Sequence, residues 1–205
     1  MRRLVIDTAS RACSVALFEG TECIGARHEV IGRGHAERLV PMIAELPEKG
    51  LADIISVNVG PGSFTGIRVG LSAAKALGLA WNVDCEGYNS LALLAAIALD
   101  KIGSAEPIDV TIHGGHGELF FQSFDAVGSA ITDACSLLPE AAAQMSKANY
   151  IVGDAAAALI DMREAGIAVE AVSDARFWPA IAHLPTLPPS AAYVRGPDAK
   201  LPTAR

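Results

Sequence analysis

The 205-residue chain is short of three things: aromatic side chains, at 5%; basic residues, with 16 Lys and Arg against 23 Asp and Glu; and cysteine, with four. Each shortage removes a class of function. The formal net charge is -7, and Arg2 and Arg3 are the only adjacent basic pair. Independent nucleic-acid binding, which is driven by phosphate neutralisation, is disfavoured, so any contact with RNA needs a basic partner. Cys13, Cys23, Cys85 and Cys135 lie far apart with no CxxC pair, as expected of reduced thiols used as small apolar filler in the cytosol. No apolar run approaches a membrane span, and MRRLVIDTAS reaches Asp7 after three apolar residues, too few for the core of a signal peptide. Histidines occur without zinc spacing: His28, His35 and His183 belong to no HExxH or HxxxH, and IHGGHGE, with His113, His116 and Glu118, is not a zincin pattern.

Apolar residues are plentiful. At 51% hydrophobic and 19% charged, the composition fits a soluble globular protein with a sizeable core, in one large domain or two small ones. RLVID, CSVALFEG and ECIGARHEV read as three strands joined by tight turns, followed by a helix over HAERLVPMIAELPEKG, a strand over ADIISVNV and two further helices, an order βββαβαα. A second pass begins near Ser104. IDVTIHG and ELFFQSFDA predict a strand pair, PEAAAQMSKA a helix, YIVGD a strand and AAALIDMREAG a helix ended by Gly166; IAVEAVS, a helix around ARFWPAIAHL and a Pro-rich tail finish the chain. Two related α/β lobes, 1–103 and 104–205, are the expected architecture.

The stretch VGPGSFTGIRVGLSAAKALGLAW resembles a phosphate-binding loop opening a helix, but no lysine follows a glycine at Walker A spacing. What remains is a tight Gly60-Pro61-Gly62 turn, Ser63 or Thr65 as helix cap, and amides able to meet an anion. Gly66, Gly70, Ala74 and Gly78 recur every fourth residue and line one helix face. Helical glycine costs about 1 kcal/mol against alanine, so the stripe needs a steric reason: close packing inside the lobe, or a subunit interface. Asp7 and Thr8, at a strand end, are open to a metal-bound phosphate or to ordinary turn chemistry.

IDTASRACSVALFEG, HAERLVPMI, VNVGPGSFTGIRVGLSAAKALGLA and the late AYVRGPDAK together resemble the bacterial TsaB (YeaZ) family, with GPGSFTGIR, residues 60–68, the most specific part. The resemblance implies an ASKHA fold, the two-lobed actin and hexokinase-like, ribonuclease H-like architecture. It also implies a part in making threonylcarbamoyladenosine at position 37 of tRNAs that read codons beginning with A. In that pathway the chain is expected to be a non-catalytic partner of TsaD, which carries the metal-binding histidines and transfers the threonylcarbamoyl group. The ATPase TsaE joins them, tRNA is met only through the complex, and the isolated chain is open to self-pairing. The expected partner interface is His35, Leu39, Gly66, Gly70, Ala74 and Gly78. Asp7, Thr8, Gly60, Gly62 and Ser63 are the candidates for weak ATP or ADP contact, with no other cofactor and no metal. Where family members read IDARRGEVY this chain has IHGGHGELF, so His113 and Gly115 stand at the acidic and arginine positions. That departure weakens the rival expectation, an ASKHA ATPase or small-molecule kinase, and a zinc peptidase is more remote still.

Overall fold

The computed structural model describes residues 1–103 and 105–194; the end of the AYVRGPDAK match, residues 195–200, lies outside them. The first sheet has β1 (Arg2–Asp7), β2 (Ala12–Glu19), β3 (Glu22–Val30), β4 (Ile54–Gly60) and β5 (Asp84–Asn89), in the order β3-β2-β1-β4-β5. β1 lies between antiparallel β2 and parallel β4. A strand covered on both faces is apolar throughout, which is why LVI runs unbroken to Asp7. Its side chains alternate: Leu4 and Ile6 pack with α1 (His35–Ala44) and α2 (Phe64–Trp81), while Val5 joins the opposite core beneath α3 (Ser90–Ile102).

The second sheet repeats the first strand for strand. β6 (Ile108–His113), β7 (Leu119–Phe124), β8 (Cys135–Leu137), β9 (Tyr150–Val152) and β10 (Ile167–Val169) run in the order β10-β9-β6-β7-β8. β6 again pairs antiparallel with the next strand and parallel with the fourth. α4 (Pro139–Met145) and α5 (Ala156–Arg163) cover its outer face with Phe121, Ile151 and Leu159. This duplicated sheet is the ASKHA fold. α3 lies between the two sheets, and Leu91, Leu93, Ile97 and Ala98 share one core with Val5, Phe18, Ile108, Val110 and Phe124. A helix contacted on both sides must be apolar nearly all round, as SLALLAAIALDKI is.

The end of the described chain returns to the first sheet. Ala175 N–H donates to Ser14 Oγ at 3.0 Å, Gly87 and Leu187 exchange backbone bonds, and Ala192 N–H donates to the Val59 carbonyl at 2.8 Å. The segment expected in the second lobe thus gives its last residues to the first. Four local expectations change. DCEGYN is a strand, β5, because β4 supplies a parallel partner despite its polar composition. Cys135–Leu137 forms a short strand against β7. Ala175–Ile181, which contains Pro179, is a 3₁₀ turn in place of an α-helix. α5 closes on Glu164 in the left-handed region, two residues before Gly166.

Candidate functional site

Asp7 ends β1 fully buried, and its carboxylate is the acceptor at the centre of a polar knot. Asn58 Nδ2 donates to it at 2.7 Å, Ser173 Oγ at 3.0 Å, Tyr88 OH at 3.1 Å and Ala9 N–H at 3.2 Å. Asn58 Oδ1 in turn accepts from Gly60 N–H at 2.8 Å and Ser90 Oγ at 2.7 Å. Burial is the largest influence on Asp7 and raises its pKa, against the lowering effect of those donors. Burial also lifts the Tyr88 phenol well above its ordinary value, with Asp7 beside it adding to the effect. The knot joins β1, β4, β5, α3 and the returning segment. Asn58, Tyr88, Ser90 and Ser173 are its unpredicted members; Asn58, an amide inside the apolar strand IISVNVG, was the visible signal.

The other phosphate candidates are also turned to the fold. Thr8 Oγ1 donates to the Gly66 carbonyl at 2.7 Å, pinning the first turn of α2 to the end of β1. Ser63 caps α2 by accepting from Gly66 N–H at 3.2 Å, and its own N–H donates to the Ala9 carbonyl at 2.7 Å. Gly60 adopts a φ of 101°, and a Cβ on Gly62 would strike the Ala9 carbonyl. Glycine at 60 and 62 therefore serves the turn and its close approach to the β1–β2 loop.

The expected interface residues belong to the interior of the first lobe. A Cβ on Gly66 would fall on the Thr8 carbonyl, one on Gly70 would come 2.5 Å from Thr8 Oγ1, and one on Gly78 2.7 Å from Cys85 Sγ. Ala74 and Leu39 are core residues, and His35 is buried with Nε2 donating to the Ala12 carbonyl at 3.2 Å. The stripe lets α2 lie close on its own sheet, where Thr8, Val57 and Cys85 fill the space beside it. What α1 and α2 turn outward is different: Val40, Phe64 and Leu79 are exposed, and a shallow groove runs between Val40, Phe64, Arg68 and Val69. Arg68 stacks over the Phe64 ring 3.7 Å from its centroid, and its Nη2 donates to Tyr193 OH at 3.1 Å.

Between the lobes lies a cleft of about 850 Å³, walled by the β1–β2 turn, the loop before α2, the β6–β7 turn and residues 171–173. Its lining is largely apolar, with Ile67, Leu94, Ile112, Phe120 and Val172, and Asp7 is not part of it. His113 and Asp154 are. Asp154 Oδ1 lies 2.9 Å from the His113 backbone N–H and 3.2 Å from His113 Nδ1. Among the described residues no group of three His, Cys, Asp or Glu could hold a metal ion, and no helix is long and apolar enough to cross a membrane.

Residues 22–174 match the family model described as TsaD: tRNA N6-adenosine threonylcarbamoyltransferase. The chain is 34% identical to the Escherichia coli tRNA threonylcarbamoyladenosine biosynthesis protein TsaB over 130 residues, 60% of this chain and 55% of that protein. Identity to the Haemophilus influenzae TsaB is also 34%, over 58% of this chain and 51% of that protein. The chain thus spans about half the length of these curated relatives. A Pseudomonas aeruginosa structure described as similar to peptidase YEAZ superposes with a TM-score of 0.79 at 26% identity, covering 95% of this chain and 99% of that one. The YeaZ structure from the same organism, at 24% identity and the same TM-score, shares the fold. With the model matched across three quarters of the sequence and both lobes superposed, the chain belongs to the threonylcarbamoyltransferase family and, within it, to the TsaB (YeaZ) proteins.

Proposed function

We propose that the chain is a non-catalytic subunit in threonylcarbamoyladenosine biosynthesis, supporting TsaD in modifying position 37 of tRNAs that read codons beginning with A. One observation carries this reading: the carboxylate that ends β1, the group an ASKHA phosphotransferase needs free at the cleft, is fully buried and holds four donors of its own fold. With its net charge of -7 the chain reaches tRNA through the complex, which TsaE joins, and needs no cofactor of its own. The outward face of α1 and α2, with Val40, Phe64 and Leu79 exposed, is the surface offered to TsaD, or to a second copy when TsaD is absent.

The test is co-purification with TsaD from the same cell, assay of threonylcarbamoyladenosine in its tRNA, and ATP turnover by the isolated chain. Val40→Glu is expected to lose TsaD and the modification together while melting as wild type does. ATP turnover at background, unchanged by Asp7→Asn, is expected of the isolated chain. Robust turnover abolished by Asp7→Asn would establish the kinase or ATPase reading instead.

A further inference from the structure

The cleft between the lobes carries polar groups that the proposed partnership does not use. Its serines are committed to the protein: Ser10 Oγ accepts from Ala12 N–H, Ser63 Oγ from Gly66 N–H, and Ser90 and Ser173 donate to Asn58 and Asp7. Arg11 at the rim is paired with Glu170. His113 is held differently. Asp154 Oδ1 faces both its backbone N–H and its Nδ1, an arrangement that favours the proton on Nδ1 and fixes the ring. Nε2 then has a lone pair and no partner among the described residues, on a side chain that lines the cleft.

We propose that this cleft binds a neutral, ring-bearing small molecule whose hydroxyl or N–H donates to Nε2 of His113. The volume of about 850 Å³ lies within the range of ligand pockets, and the apolar walls, with Phe120, Ile112, Ile67 and Leu94, suit a flat ring. Charge decides against a polyphosphate. Among the described residues no lysine lines the cleft, Arg11 is paired with Glu170, and Asp154 adds a negative charge on the His113 side. A phosphate chain would enter beside a carboxylate with no free countercharge among the described residues. A neutral donor instead completes the Nε2 acceptor of His113, and its ring covers the apolar walls. The cleft shares Phe64 with the α1–α2 face, but His113 and Asp154 lie outside that face, so failure of the His113 contact leaves the partnership reading standing.

The probes are 2-naphthol, which carries a ring and a donor, 2-methoxynaphthalene, which lacks the donor, and Mg–ATP. Binding is measured by titration calorimetry, and imidazole nitrogen resonances are read by NMR on the isolated chain. Expected is saturable binding of 2-naphthol about fivefold tighter than its methyl ether, the worth of one net hydrogen bond, with a shift of the His113 Nε2 resonance. His113→Phe, checked to melt as wild type does, is expected to bind both naphthalenes equally. Equal affinity of the two for the wild type means apolar trapping without recognition and overturns the proposal. So does absence of binding, and so does saturation by Mg–ATP below the 2-naphthol range.

Discussion

The strands that open the two lobes, β1 and β6, occupy the same place in their sheets and end in opposite ways. β1 ends on Asp7, fully buried and holding four donors; β6 ends on His113, whose side chain is 61% exposed and bonded to Asp154. The following turns differ in step. After Asp7, Thr8 ties α2 to the strand, and the 18-residue α2 lies flat on the sheet through its glycine stripe. After His113 comes a glycine-rich turn, and the helix in the corresponding place, α5, has eight residues. The first lobe has turned a strand end into a packing joint, whereas the second has left its own at the cleft surface. Position in a duplicated fold therefore does not fix the role of a residue; what decides it is whether neighbouring donors and a long helix close over it.

The largest expected effect tests the packing joint. Gly70→Leu places side-chain atoms where Thr8 Oγ1 and Val57 Cγ2 already lie. Overpacking of that kind costs typically about 1–3 kcal/mol, reduced by the helix propensity that leucine brings, and here the blocked Cβ sets it near about 3 kcal/mol. Urea unfolding measures it. TsaD retained per folded molecule is expected to be unchanged, because the stripe faces the sheet; a loss of TsaD with wild-type stability would return the stripe to the interface.

Asp7→Ala follows. It strands Asn58 Nδ2, Tyr88 OH and Ser173 Oγ in a buried site, and the expected loss is about 2–3 kcal/mol by urea unfolding, partly relieved if water enters. Asp7→Asn, which keeps one acceptor oxygen, loses less. A cost under about 0.5 kcal/mol for Asp7→Ala would show the knot to be ornamental to stability.

The pH dependence of the same residue is smaller and has a definite sign. Burial, outweighing the donors Asn58, Ala9, Ser173 and Tyr88, raises the Asp7 pKa above its ordinary 3.8. The folded state then binds the proton more tightly than the unfolded state. Its contribution to stability is complete below 3.8 and is lost as pH rises through the folded value. The unfolding free energy of wild type minus that of Asp7→Asn is therefore expected to fall as pH is raised from about 4, since the amide does not titrate. A difference that climbs over that window would mean that the donors outweigh burial.

Much of this was legible in the sequence where one physical rule governed. The strands of the first meander and the helices α1, α2 and α3 follow from apolar period and turn residues, while the ASKHA fold is implied by the family resemblance, of which GPGSFTGIR is the most specific part. The stripe shows where legibility stops: spacing at every fourth residue reveals that something lies close to α2, but the identity of that neighbour depends on the tertiary position of Thr8, Val57 and Cys85. The knot was half visible, since Asp7 stands out at the end of an apolar strand, while its donors come from residues 58, 88 and 173, brought together only by the fold. β5 was hidden because DCEGYN owes its strand to the pairing with β4 more than to its own residues.

The smallest expected effect completes the contrast between the strand ends. His113→Ala removes an exposed ring and its contact with Asp154, an imidazole–carboxylate pair of the kind that contributes little at a wet surface. The His113 backbone N–H keeps its bond to Asp154 at 2.9 Å, so the turn that holds β6 to the start of α5 stays satisfied. Surface changes of this sort alter stability by no more than about 0.5 kcal/mol, against the loss of several times that expected at Asp7. Both variants can be unfolded in urea under one set of conditions, and the ratio of their effects is the measure of the asymmetry. If His113→Ala costs as much as Asp7→Ala, the second strand end is also a packing joint, and the cleft surface described here contributes to holding the lobes together as well as to facing a ligand.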